Sequence, residues 1–256
     1  MWKLPSAYQK QYINDVNRII SDDNTFNNFK RYSYYNSVIG YSEPLCVQNC
    51  YKTILKHPDV VINISKFLLQ EEIGNSDKYC FAPDKSGNKI SGNLIRNIET
   101  ICLLKEAFGD LNNKNILEFG CSFGQLTGCI LVQWPDVKCI HLIDLPEVLK
   151  LAEKYLSKIP NIDVKKINFK EPEPSVVMDV AISEYGLSEI TPETIEEYYN
   201  KYFKSSDNIF LRSNITKDVE HNQFIELLKK TFELTINDEK GSTFPNKVVI
   251  GKRRKK

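Results

Sequence analysis

The chain of 256 residues has no surplus of charge, no long apolar run, no paired-cysteine framework and few histidines. Each absence removes a class of function. A formal net charge of +1 supplies no global field for nucleic acid or an anionic membrane. No stretch of about eighteen consecutive apolar residues occurs, so no membrane span is predicted. The start, Met1-Trp-Lys-Leu-Pro-Ser, soon turns polar and does not read as a secretory signal. The seven cysteines are odd in number and sit mostly in apolar positions, which predicts reduced thiols and a cytoplasmic location. Only Cys46 and Cys50 lie close together, without a second pair or a nearby histidine, which argues against zinc. No metal is required by any other cluster. Neither repeats nor low-complexity blocks are present. The one basic block, Lys252 to Lys256, reads as a solvated, mobile tail.

What is present is an ordinary globular balance, 41% hydrophobic and 26% charged, enough for a core that folds without staples. The length fits one α/β domain with a modest extra lobe, and the boundary falls near residue 110. Residues 1–110 read as a helical lobe, rich in tyrosine. Ile13, Val16, Ile19 and Ile20 fall at helical spacing from Ser6, and Asp22-Asp-Asn-Thr breaks the run. Phe26, Phe29, Tyr32, Tyr34, Tyr35 and Tyr41 then suit either the cover of a small lobe or the lining of a pocket. A helix is predicted from Pro58 through Leu68 with Gly74 as its stop, then a polar loop or lid from Gly74 to Gly92. Ser91 or Asn93 caps a helix over Leu94–Phe108.

From Lys114 the pattern becomes strand–helix alternation, the mark of a parallel sheet with crossover helices. Strands are predicted at Asn115–Glu118, Lys138–Ile143, Ile162–Ile167, Val176–Ser183 and Asn208–Arg212. Helices are predicted at Gln125–Trp134, Pro146–Ser157, Thr191–Phe203 and Glu220–Thr231. Strands Phe232–Asn237 and Lys247–Gly251 close the chain as a hairpin.

Open α/β sheets bind ligands outside the carboxyl ends of their strands. The first strand ends in Glu118 and the turn Gly120-Cys121-Ser122-Phe123-Gly124. The second ends in Asp144, followed by Leu145, where a carboxylate accepts two hydrogen bonds from vicinal ribose hydroxyls. The third gives Asn168 and Phe169, an amide for an adenine edge and a ring for its face. The fourth gives Ser183, Glu184 and Tyr185, then Glu189; the fifth gives Arg212. A dinucleotide turn wants G-x-G-x-x-G. Here the glycines are four apart, and Glu118 would repel a pyrophosphate but favour a sulfonium or amino group. A cationic adenosyl ligand is therefore preferred over a dinucleotide.

At these residues a resemblance enters. ILEFGCSFG resembles the first motif of class I S-adenosylmethionine-dependent methyltransferases, with Ser122 in place of the middle glycine. HLIDLPEVLKLAEKYL, DVAISEYGLSEI, IFLRSNI and, more faintly, SGNLIRNIETICLL are similar to the bacterial putative sugar O-methyltransferase family, over roughly residues 90 to 215. Glu184 stands where that family carries Asn. The resemblance implies a Rossmann-like methyltransferase sheet over 111–256, mostly parallel with a C-terminal antiparallel hairpin, and an acceptor-binding helical lobe over 1–110. It implies S-adenosyl-L-methionine as cofactor, held by Glu118, Gly120, Cys121, Ser122, Gly124, Asp144, Leu145, Asn168, Phe169 and Ser183. The reaction implied is methyl transfer to a hydroxyl, with Glu189, Glu184, His221 and Tyr185 as candidates to take its proton. His57 and His141 read as structural. The acceptor stays open between a sugar of a surface-glycan precursor and another small molecule, and a non-catalytic interaction protein keeps the same turn. Nucleic acid is disfavoured, because the Asn/Asp-Pro-Pro-Tyr/Phe motif and a basic groove are lacking. An oligomer is compatible with all of this.

Overall fold

The computed structural model describes residues 6–32, 44–76, 79–82, 85–173, 175–213, 219–240 and 246–255. Tyr34, Tyr35 and Tyr41 of the aromatic stretch lie outside them, and of 6–9, 79–81, 188–189 and 219–222 the backbone alone is described.

A seven-stranded sheet organises the second half of the chain. Its strands are β3 (Asn115–Phe119), β4 (Cys139–Ile143), β5 (Ile167–Asn168), β6 (Val180–Glu184), β7 (Asn208–Ser213), β8 (Phe232–Asp238) and β9 (Lys247–Arg253). They lie in the order β5-β4-β3-β6-β7-β9-β8, with β9 antiparallel to both neighbours and the other pairings parallel. This is the expected mostly parallel sheet with an antiparallel closing pair. β3, β4 and β6 are almost wholly buried along their length, as strands covered on both faces must be. β8 is one edge and β5 the other; on β8 the exposed polar residues Glu233, Thr235, Asn237 and Asp238 discourage further pairing. From β3 the chain winds outward to β4 and β5, then returns to β6 and β7 on the other side. The crevice at that reversal opens over the ends of β3 and β6.

Four helices connect the strands: α7 (Gln125–Gln133), α8 (Pro146–Leu156), α9 (Pro192–Lys201) and α10 (Val219–Lys229). Pro146 and Pro192 open α8 and α9 in the first turn, where a missing N–H costs nothing. Ahead of the sheet come α1 (Ser6–Ser21), α2 (Asp23–Asn27), α3 (Pro44–Ile54), α4 (Pro58–Val61), α5 (Ile64–Leu68) and α6 (Gly92–Phe108). Ser91 caps α6, its Oγ accepting from Leu94 N–H at 3.2 Å. α1 packs on α8, and α6 packs on both α3 and α7. One buried apolar cluster runs from Val16 to Val249, across the position where the composition changes.

Several expectations need correction. The third strand is two residues long rather than Ile162–Ile167, because the Asp163 carboxylate captures Lys165 N–H at 3.0 Å and winds Val164–Lys166 into a 3-10 turn. The Gly74–Gly92 loop contains an antiparallel pair, β1 (Tyr79–Phe81) with β2 (Lys89–Ser91). The helix from Pro58 is divided into α4 and α5. Helix α3 had no counterpart in the sequence reading. The basic tail is not loose: β9 runs into it, and its arginines are anchored to backbone carbonyls.

Candidate active site

The turn after β3 alternates through left-handed backbone: φ is 77° at Gly120, 51° at Ser122 and 88° at Gly124. Glycine takes such angles without strain and serine with some, which is why a middle glycine is replaceable here. Gly120 N–H donates to Ile143 O at 2.8 Å, tying the turn to the end of β4. Ser122 N–H donates to Asp144 Oδ2 at 2.9 Å, and Leu145 N–H to Asp144 Oδ1 at 2.8 Å. Asp144 thus grips the turn through both carboxylate oxygens. Leu145 is buried where it opens α8, and Cys121 is buried within the turn, its thiol pushed far up by burial. Behind the turn the Phe123 ring meets Tyr155 at 4.8 Å and Phe29 at 5.3 Å, so α8 and the segment after α2 buttress it.

Glu118 is buried at the end of β3, its Oε2 accepting from Thr127 Oγ1 on α7. Burial raises its carboxyl to about 8, the hydrogen bond from Thr127 opposes this, and the charges of Glu184 and Asp144 add to the rise. The group is thus held neutral near pH 7, in a place where a cation would ionise it. Two further polar atoms at this turn are fully buried without a protein partner, Ser122 Oγ and Gln125 Nε2. Gln125 is oriented by Asn93 and Asn97 of α6, whose amides donate to its Oε1 at 2.6 and 3.0 Å, which turns its own NH2 away from them.

The ends of β6 and β7 meet α6 in a buried charge network. Glu184 and Arg212 are register partners, and Arg212 Nε lies 3.1 Å from Glu184 Oε1. Arg212 also pairs with Glu99, and with Glu239 at 2.5 Å. Glu184 accepts in addition from Thr100 Oγ1. Tyr185 adopts a left-handed φ of 64°, its hydroxyl accepting from Arg96 at 2.5 Å and donating to Glu239 at 2.6 Å. Asn246 Nδ2 donates to Glu239 at 2.9 Å. Burial opposes charge on Glu239, but Arg212 and Arg96 outweigh it and hold its carboxyl down to about 2. Burial drives the Tyr185 phenol well above its usual range.

The network and the glycine turn touch directly. A Cβ on Gly186 would lie 2.9 Å from Gly120 Cα and 3.1 Å from Phe119 O, so the segment after β6 sits flush against the turn after β3. Ser183 is buried beside them, its Oγ accepting from Leu187 N–H at 3.3 Å. The structure therefore gathers Glu118, Gly120, Cys121, Ser122, Gly124, Asp144, Leu145, Ser183, Glu184 and Tyr185 at adjacent strand ends. Asn168 stands on the far side of β4. Its Nδ2 is 3.0 Å from His141 Nδ1, its Oδ1 accepts from Lys170 N–H at 3.1 Å, and Phe169 is partly buried against the core. Burial lowers the His141 imidazole from its ordinary range. Glu189 closes the 3-10 turn Gly186–Glu189 and His221 lies in α10, but both side chains fall outside the described residues. Among the described residues no group of three or more His, Cys, Asp or Glu is placed to hold a metal ion.

Sequence reading missed the contribution of α6: Asn93, Arg96, Asn97, Glu99 and Thr100 all reach strand-end or turn residues. The clue available was their spacing on one helix, three and four apart, which brings them onto one face.

No protein-family model matches the chain. No curated protein matches it either. Solved structures share its chain course at low identity. The mitomycin 7-O-methyltransferase MmcR is 13% identical with a TM-score of 0.44, over 64% of this chain and 57% of that one. The magnesium protoporphyrin IX methyltransferase ChlM of Synechocystis PCC 6803, with bound SAM, is 10% identical with a TM-score of 0.48, over 62% and 79%. The 16S rRNA methylase ArmA is 18% identical with a TM-score of 0.43, over 59% and 81%. The chain thus spans little more than half of the first of these, and such likeness says nothing about an acceptor.

Proposed function

We propose that the chain is an S-adenosyl-L-methionine-dependent O-methyltransferase acting on a hydroxyl, with a sugar of a surface-glycan or nucleotide-sugar precursor as the preferred acceptor class. The observation that carries the reading is the Ser122–Asp144 hydrogen bond, which joins a left-handed glycine turn to the carboxylate at the end of β4. Asp144 would hold the ribose hydroxyls, and Glu118 would face the cationic amino-acid end. Ser122 Oγ and Gln125 Nε2 are buried polar atoms that a ligand's polar groups would satisfy. The cofactor, when bound, supplies an activated methyl group on a sulfonium. The protein's task is then mostly positioning, plus removal of the acceptor proton.

Glu184 is committed to Arg212 and Thr100, and Tyr185 to Arg96 and Glu239. These residues fit a rigid wall better than a proton acceptor. Glu189 is the preferred base, because Gly186 fixes the start of its turn against Gly120. The helical lobe over 1–110 would contribute acceptor contacts through α6. The sugar preference rests on the sequence resemblance alone. Incubating the protein with methyl-labelled S-adenosylmethionine and parallel panels of nucleotide sugars, free sugars and phenols tests the proposal. Labelled methyl ether on a sugar supports it; label only on phenols corrects the acceptor; no transfer to any hydroxyl contradicts it.

A further inference from the structure

The basic run at Lys252–Lys255 forms part of a built cleft on the edge of the sheet opposite the glycine turn. Arg253 N–H donates to Asp207 O at 2.8 Å, and its Nη2 to Lys204 O and Ser206 O, both at 2.6 Å. Arg254 N–H donates to Thr231 O at 3.0 Å, and its Nε to Lys229 O at 3.2 Å. These bonds dock the tail against the segments that lead into β7 and β8. A cleft of about 680 Å³ results, bordered by Asn208, Thr231 and Lys252. Asn208 begins β7 and pairs with Lys252 near the end of antiparallel β9, so the cleft lies at the strand starts. Glu118, Glu184 and Arg212 lie at the strand ends.

Lys204, Lys230, Lys252 and Lys255 line this cleft, all exposed. Asp207 is the one acid in its lining, and it faces Arg253 at 3.6 Å. None of the four lysines forms an ion pair among the described residues, so their charges are not offset by a neighbouring carboxylate. A chain of net charge +1 therefore concentrates like charge in one concavity, at an electrostatic cost that an anion would relieve.

We propose that this cleft binds a compact polyphosphate group, the diphosphate of a small molecule. Ammonium groups bind phosphate oxygens as point charges, so the recognition here falls to the lysines. The volume is that of a small-ligand site. The cations line one cleft and the molecule is near neutral overall, which favours a compact anion over a nucleic-acid strand.

The test is calorimetric titration of the full chain in about 0.15 M salt with inorganic pyrophosphate, a nucleoside diphosphate and a single-stranded RNA. It compares the wild type with K204Q/K230Q/K252Q and with a control, K66Q/K150Q, that removes exposed lysines elsewhere; circular dichroism checks folding. Saturable binding of pyrophosphate or the nucleoside diphosphate is expected, weakened roughly tenfold or more in the triple variant and unchanged in the control. S-adenosylhomocysteine affinity stays the same in both variants. Tighter binding of the nucleoside diphosphate than of pyrophosphate identifies a nucleotide as the source; equal binding identifies the diphosphate alone. The proposal is overturned by no saturable binding of either at millimolar concentration, by equal loss in the control, or by preferential binding of RNA.

Discussion

Glu184 and Arg212 stand opposite each other at the ends of β6 and β7, joined once by strand register and again through side chains 3.1 Å apart. Through Arg212 the two central strands are tied to Glu99 on α6 and to Glu239 beyond β8, so one guanidinium fixes the wall of the crevice. The consequences can be measured.

Arg212→Met removes the charge that three carboxylates share, Glu239 buried and Glu99 and Glu184 partly buried. Leaving buried charges uncompensated costs about 3–5 kcal/mol, and urea unfolding at pH 7 should show a loss of that order. A change below about 1 kcal/mol would mean that the network is already well screened by solvent.

Acid and base act on this site with opposite signs. Glu239 has a folded pKa of about 2 against an ordinary 4.5, so its contribution is complete above 4.5 and is lost as pH falls through 2. That contribution is on the order of 3 kcal/mol, and the stability gap between wild type and Glu239→Gln should close over that interval. Glu118 is raised from 4.5 to about 8, so the unfolded chain ionises first and stability declines as pH rises between those values. Unfolding curves for Glu118→Gln should gain on the wild type over the same range. A gap that does not vary with pH in either variant removes the corresponding assignment.

Gly186→Ala would place a Cβ 2.9 Å from Gly120 Cα, against backbone on both sides. We expect a loss of about 1–3 kcal/mol by thermal or chemical unfolding, together with weaker S-adenosylhomocysteine binding. A variant with wild-type stability and affinity would show that the two turns are not in contact in solution.

Glu189→Gln should lower kcat for a hydroxyl acceptor by about a hundredfold or more while leaving S-adenosylhomocysteine affinity unchanged. If the variant keeps its rate, the proton is taken elsewhere, and His221→Gln becomes the decisive comparison.

The sheet was legible in the chain because buried strands read as short apolar runs and their ends follow from the winding order. That is how Glu118, Asp144, Glu184 and Arg212 could be placed at one edge. β5 was misplaced because Asp163 bonds Lys165 N–H, a local competition that periodicity does not register. α3 was missed where Cys46 and Cys50, four apart and both buried, drew attention as thiols instead of as helix core. The shared face of the α6 polar residues could be read from their spacing, but their partners could not. Arg96 and Tyr185 are 89 positions apart, and Glu99 and Arg212 are 113 apart. From sequence alone those α6 side chains are an ordinary polar helix face.

The most direct test of the central claim is calorimetric binding of S-adenosylhomocysteine to the wild type and to Asp144→Ala, with folding verified by circular dichroism. Saturable binding to the wild type is predicted, reduced about a hundredfold in the variant, as the loss of two charge-assisted hydrogen bonds requires. Unchanged affinity in a folded Asp144→Ala protein, or no binding to the wild type, would contradict the assignment of this turn to an adenosyl cofactor.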